Sequence, residues 1–366
     1  MRSHTTLFLY QGPHPVHKAW AESIGASFLY RNIIESIDKT SEFNRFLRRA
    51  WHLCLRGALR VIPIVKHDIH CILSEGYSFT SPILKNKLKT KLVFLAADPF
   101  FYEVECLFSK LRTGSLSGWE GRRWRLYTDF LRSCDGVIAV SDMVKGDVEK
   151  FSRVLGKDIP VKVVYPFIDQ VKFSKYRTSL KTNNIVFLGV HVLTKGIELL
   201  PEVFSYVKKE VRDVKLYILG RETRYTRMLR SFKHVDFKVV GYVENVEYFL
   251  RNATVLLHPA LYDPFSVAVI EAMATGLIPV VTERTGSAEA VRKVSEGLVA
   301  KVEPKDIADK VVSILTLDHK VRFELSEKCR EVALSPIYSR EYSVESFRRN
   351  YLNLIYEIEG SSYTRE

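Results

Sequence analysis

Two carboxylates, Asp263 and Glu271, stand eight positions apart in "DPFSVAVIEAMATGLIPVV", residues 263–281, a stretch otherwise built of apolar and small residues. Between Asp263 and Glu283, Glu271 is the only charged side chain. A carboxylate inside an apolar run must be neutralised, paired with a structural Lys or Arg, or put to use, because an uncompensated buried charge costs several kcal/mol. The preceding "TVLLHPA" reads as a strand that delivers the chain to the loop "LYDPFS". Ser266 is placed to cap the helix that follows, and Gly276 ends it. Asp263 then lies at a strand's carboxyl end, just before a helix start. The N–H groups near Phe265, Ser266 and Val267 offer an anion site there. Carboxylates accept hydrogens from sugar hydroxyls, and helix-start N–H groups take a diphosphate. The pattern therefore points to a ligand carrying both.

Residues of this kind need a frame, and from about residue 184 the chain alternates strand and helix. "NNIVFLGV", "DVKLYILG", "DFKVVGYV", "TVLLHPA", "LIPVV" and "GLVAKV" read as strands. "GIELLPEVFSYVKKEV", "TRYTRMLRSFK", "ENVEYFLRNA", "GSAEAVRKV" and "KDIADKVVSIL" read as the helices between them. Continuous apolar strands joined by helices predict a parallel sheet covered on both faces. The first half repeats the pattern more loosely through "TTLFLY", "ASFLY", "HCILSEG", "KLVFLAAD", "DGVIAVS" and "VKVVYPF". At 366 residues the chain suits two domains. The expectation is two doubly wound, Rossmann-like α/β domains over 1–168 and 184–340, joined by a polar linker at 169–183. A C-terminal helix over 341–366 is expected to pack back on the first domain. Ligands of such sheets bind beyond the strands' carboxyl ends, so the cleft between the domains is the expected site.

The net charge is +13 and uneven: residues 1–168 carry +9 and residues 169–366 carry +4. An anionic partner is expected in the first half. No apolar run reaches the roughly 20 residues of a membrane span, and the apolar run near the start is too short for a signal peptide. Five cysteines without CxxC spacing suggest a reducing compartment, so a cytoplasmic location is expected. His14 with His17, and His67 with His70 and Cys71, have ligand-like spacing but lack the remaining ligands of a zinc site, so no metal is expected. No Gly-x-Gly-x-x-Gly, P-loop or Asp-x-Asp motif occurs.

Taken together, "DPFSVAVIEAMATGLIPVV", "FLGVHVLTKG", "GSAEAV", "GVIAVS" and "VVYPFID" resemble the GT-B glycosyltransferases, specifically the retaining glycosyltransferase family 4. The resemblance is strong from 184 to 302 and weak before 135. It implies a nucleotide-sugar donor as substrate, no cofactor and no metal. By position, Glu271 would bind the donor's ribose hydroxyls and Asp263 the hydroxyls of the transferred sugar. Lys195, in the Lys-Gly loop after Gly189, would hold the phosphates and stabilise the departing diphosphate. Gly12 falls where a glycine loop offers N–H groups to them. The chain departs from the family pattern in three places: the first acid of the motif is Asp263 rather than glutamate, Val190 replaces an arginine with His191 following, and the first-half histidine is missing. Asp98 is the nearest polar candidate on the acceptor side, although before Pro99 it also suits a turn.

A second amphipathic stretch, residues 42–60, has an apolar face through Trp51 and a basic face with Arg45, Arg48 and Arg49, with no acid after Glu42. It reads either as a core-facing helix with a polar back or as a contact to an anionic membrane surface, with "WEGRRWRLYTDFLR" at 119–132 as a companion. The second reading carries an expectation of a lipid-linked or glycan acceptor and peripheral attachment to the cytoplasmic membrane face. Rival readings are a GT-B-like sugar-nucleotide epimerase or phosphorylase, and a basic nucleic-acid-binding protein. The latter lacks an RNP or helix-turn-helix signal, so no nucleic acid is expected.

Overall fold

The computed structural model describes residues 5–10, 14–30, 69–232 and 237–360. Gly12, His67 and the stretch with Arg45, Arg48, Arg49 and Trp51 lie outside the described residues. The chain divides into two compact units. The first takes the residues up to Val140, then Val144–Val164 and those from Val344 onward. The second takes Ser141–Met143 and Tyr165–Ser343.

The first unit is a parallel sheet of β1 (Thr5–Tyr10), β2 (Ser27–Tyr30), β3 (Ile69–Glu75), β4 (Lys91–Ala96), β5 (Gly136–Ala139) and β6 (Val161–Val163), in the order β2-β1-β3-β4-β5-β6. Ile72, Leu73, Leu92–Leu95 and Val137–Ala139 are fully or almost fully buried, as strands covered on both faces require. The helix Arg340–Glu359 supplies part of that cover. The Phe347 ring stacks on Trp20 with centroids 5.1 Å apart, and the Tyr351 hydroxyl meets Thr6 Oγ1 at 2.9 Å.

The second unit is also a six-stranded parallel sheet: β7 (Ile185–Leu188), β8 (Leu216–Leu219), β9 (Lys238–Gly241), β10 (Val255–His258), β11 (Ile278–Thr282) and β12 (Val299–Ala300). Its order is β12-β11-β10-β7-β8-β9. The first strand of the unit, β7, thus pairs with the fourth, β10, and the order reverses between them. That reversal opens a crevice at the carboxyl ends of these two strands, the general binding place of open α/β sheets.

The segment read as a linker packs instead. It contains a short helix, Gln170–Ser174, and buries Phe173 and Leu180. Buried Arg330 binds it to the rest of the unit, donating from Nη1 to Tyr176 O at 2.9 Å and from Nη2 to Ser174 O at 3.1 Å. The same guanidinium donates to Ala274 O, at the C-terminal end of the helix Val267–Ala274, where a cation is favoured. Two apolar residues spaced seven apart carry too little periodicity to show this packing in the sequence.

Candidate active site at the sheet reversal

β7 ends at Leu188, and the chain turns through Gly189 into a 3-10 helix, Leu193–Lys195. Gly196 follows at φ +69. A Cβ on Gly196 would lie 1.7 Å from Pro259 O, so only glycine lets this turn press against the end of β10. The approach is fixed from the other side by Tyr262 N–H, which donates to Thr194 O at 3.1 Å. Lys195 is thereby held beside the loop that leaves β10.

That loop carries Asp263, which is 2% exposed. Its backbone is clamped: the N–H donates to Arg284 O at 2.9 Å, and Gly286 N–H donates to its carbonyl at 2.8 Å. Gly286 has no room for a side chain, because a Cβ there would meet Pro264 O at 1.9 Å. Lys195 Nζ donates to Asp263 Oδ2, and His258 Nε2 lies 2.8 Å from the same oxygen. Burial alone would push the Asp263 carboxyl up, but the Lys195 charge and the His258 hydrogen bond outweigh it and hold it well below the usual carboxylate range. Burial lowers His258, with Lys195 adding to the effect, so the imidazole is neutral and its Nε2 carries the donated hydrogen. The lysine side chain retains 25% of its exposure while the aspartate side chain keeps 3%.

In the structure Asp263 has two side-chain partners. One methylene shorter than the glutamate of the family pattern, it stays buried, and its Oδ2 is committed to Lys195 and His258. Lys195 is the group presented to solvent. His258 was not singled out in the sequence, although a histidine ending a strand two residues before the site loop, in "LLHPA", was its signal.

The helix Val267–Ala274 starts from Ser266, which adopts an extended φ and ψ but makes no side-chain capping bond, contrary to expectation. The N–H groups of Phe265, Ser266 and Val267 donate to no acceptor among the described residues. The Phe265 ring is used for packing, 6.0 Å from Tyr165 and 6.2 Å from Tyr338 between centroids. One turn on, the side chain of half-buried Glu271 has no hydrogen bond or ion pair among the described residues. The nearby cation, Lys172, is bonded to Glu247 at 2.7 Å instead. Burial pushes the Glu271 carboxyl up to about 7, Lys172 offsets this in part, and Glu247 and Asp169 add to it. Among the described residues, then, no structural ion pair keeps this acid in the apolar run.

His191 is fully buried, with Nδ1 3.0 Å from Thr226 Oγ1. Burial lowers its pKa, which works against the charged form of the imidazole. Glu289, in the "GSAEAV" turn, accepts from Met143 N–H at 3.0 Å and from the Tyr165 hydroxyl at 2.9 Å, which ties Ser141–Met143 into this unit. In the first unit, Asp98 Oδ2 accepts from Tyr77 N–H at 3.2 Å, fastening the turn at Gly76. Its side chain thus holds a turn more than twenty positions earlier in the chain. Among the described residues no group of three His, Cys, Asp or Glu could hold a metal, and no helix is long and apolar enough to cross a membrane. A cavity of about 300 Å3 between Tyr176, Arg177, Glu247 and Arg251 includes none of the residues at the sheet reversal.

Residues 169–333 match the family described as glycosyl transferases group 1. They form a group 1 glycosyltransferase domain. The whole chain superposes on a sucrose-phosphate synthase from Thermosynechococcus elongatus with a TM-score of 0.70 at 14% identity, covering 97% of this chain and 100% of that one. The fold is GT-B. In sequence, the chain is 25% identical over 215 residues to the N-acetyl-alpha-D-glucosaminyl L-malate synthase of Bacillus anthracis, covering 55% of each protein. It is 30% identical over 116 residues to the N,N'-diacetylbacillosaminyl-diphospho-undecaprenol alpha-1,3-N-acetylgalactosaminyltransferase of Campylobacter jejuni, covering 31% of this chain and 29% of that enzyme. The chain thus spans about half or less of the length of these curated relatives. The glycosyltransferase domain contains Lys195, His258, Asp263, Glu271 and Glu289, and so the entire constellation at the sheet reversal.

Proposed function

We propose that the chain transfers a sugar from a nucleotide-sugar donor to an acceptor hydroxyl, with retention at the anomeric carbon and without a metal. The observation that carries this reading is a presented lysine bonded to Asp263 at the reversal of one sheet, followed by a helix whose first N–H groups and Glu271 side chain have no partner among the described residues. In this reading the donor diphosphate lies against the N–H groups of Phe265, Ser266 and Val267. Lys195 meets the charge that grows on the leaving oxygen as the glycosidic bond breaks. Such charge is stabilised most where the donor group is already oriented, and Asp263 with His258 orients this one. The freed phosphate oxygen takes the acceptor hydroxyl's proton, so the reaction needs no separate protein base.

Glu271, in its ionised form, accepts from the two ribose hydroxyls. The acceptor is proposed to be carried on a lipid, with the chain attached peripherally to the cytoplasmic face of an anionic membrane. The Campylobacter relative, whose name specifies a diphospho-undecaprenol substrate, supports this part. The test is a thermal-shift screen of UDP, GDP, ADP and their sugars, followed by donor consumption with and without lipid-linked acceptors. Stabilisation by at least one nucleotide is expected. Acceptor-independent conversion of the donor into an epimer or a sugar phosphate would replace the transferase reading.

A further inference from the structure

The first unit carries a basic, apolar surface that the donor chemistry does not use. The helices Phe100–Arg112 and Gly118–Ser133 are joined by a short turn, and residues 110–125 hold five Lys/Arg against one Glu, a net of +4. The turn is firmly built. Ser115 N–H donates to Lys110 O at 2.9 Å, and Gly114, at φ +68, donates to Leu111 O at 3.1 Å. Ser117 and Glu120 form a reciprocal cap on the second helix.

The one acid is consumed by this construction. Glu120 accepts from Ser117 N–H at 3.0 Å and from Lys110 Nζ, and these bonds lower its pKa to about 2. It stays ionised, and its charge is countered by that of Lys110. What remains at the surface is Leu111, 43% exposed, Trp119, 56% exposed, and the exposed Arg112, Arg122 and Arg125. None of these three arginines has an ion pair among the described residues, whereas neighbouring Arg123 is bound to Glu103. Trp119, Arg122, Arg125, Asp129 and Arg132 share the exposed side of their helix.

Exposed tryptophan and leucine among unpaired arginines suit the boundary of a lipid bilayer. The rings and alkyl stems enter the headgroup layer, and the guanidinium groups stay with the phosphates. We infer that this helix–turn–helix end docks on an anionic lipid surface. The inference deepens the transferase reading, on which it rests for the lipid-borne acceptor that such a surface would present. A strip of bases stacked on aromatic rings would need a row of exposed aromatics, and only Trp119 is exposed here.

The test is co-sedimentation of the full chain with vesicles of phosphatidylcholine alone or mixed with phosphatidylglycerol, at low and high salt. The wild type should bind only the mixed vesicles and release in high salt. Each basic residue near such a surface contributes about a fivefold gain in partition, so Arg112→Glu/Arg122→Glu/Arg125→Glu should lose more than about a hundredfold. Trp119→Ala should weaken binding to the mixed vesicles at low salt. Lys208→Glu/Lys209→Glu/Arg212→Glu, on exposed positions of the second unit, changes the net charge equally and should bind as the wild type does. The inference is overturned if the wild type ignores the mixed vesicles, if both triple variants lose binding equally, or if single-stranded DNA competes with vesicles for the same arginines. Nucleotide thermal shifts on the same wild-type sample separate the two ideas. Vesicle binding without any nucleotide shift would sink the transferase reading alone, and the reverse would sink this one alone.

Discussion

Glu271 and Lys195 have opposite situations, and each yields a test. The Glu271 side chain has no partner among the described residues and a folded-state pKa of about 7, above its ordinary value of 4.5. The folded state therefore holds a proton that the unfolded state has lost, and stability falls as pH rises from about 4.5 to 7. Glu271→Gln should remove that penalty and raise stability by about 2–3 kcal/mol at pH 8, with little effect at pH 4, in denaturant titrations at the two values. The same change should weaken nucleotide-sugar binding by about 1.5–3 kcal/mol, the cost of a lost charge-assisted hydrogen bond. Lys195 is the reverse case, since Asp263 depends on it. Lys195→Ala should reduce turnover by about a hundredfold or more. It should also leave the buried carboxylate to His258 among the described residues, raising the histidine's pKa. The variant's stability should then be retained at low pH and lost as pH rises through that value, a slope visible in melting temperatures between pH 5 and 8. Asp263→Asn should cost about 3 kcal/mol at neutral pH, because it strands the lysine beside a neutral, buried amide. The two charged ends of this arrangement were legible because acids and a Lys-Gly turn stand out from an apolar background. That Lys195 and Asp263 bind each other was not, since 68 residues separate them and only the folded sheet brings them together.

The elements that place these side chains depend on two tight approaches. Gly196 sits where a Cβ would collide with Pro259 O, and its φ of +69 disfavours any other residue. Gly196→Ala should lose at least about 2 kcal/mol of stability and displace Lys195, so nucleotide affinity should fall with it in parallel denaturation and titration measurements. The strands and most helices were readable because continuous apolar runs separated by helical periodicity have few other solutions. Residues 169–183 were not, because their hold on the second unit comes from Arg330, a distant and nominally polar residue whose guanidinium donates to backbone carbonyls. Ser266 shows the same limit on a smaller scale. The sequence identified where its helix starts, but whether its hydroxyl turns toward the first N–H groups is decided by packing around it, and here it does not.

The molecule as a whole combines two sheets of different order. In the second, the reversal between β7 and β10 places Lys195, His258 and Asp263 together, so the position of the site follows from topology before any side chain is considered. The excess positive charge is concentrated in the first half, outside the domain that holds Lys195, Asp263 and Glu271, and an anionic surface rather than the donor is assigned to it. The fold class and two-unit plan were open to sequence reasoning because both depend on repeated local patterns. The return of Phe347 and Tyr351 to Trp20 and Thr6 was only an expectation, since no pattern links residues so far apart. The most direct test of the central claim is the melting temperature of the wild type, Lys195→Ala and Glu271→Gln in saturating UDP, GDP and ADP. The account predicts that at least one nucleotide raises the wild-type midpoint, with most of the gain lost in both variants. It is contradicted if none of the three moves the wild type, or if both variants gain as much as the wild type does.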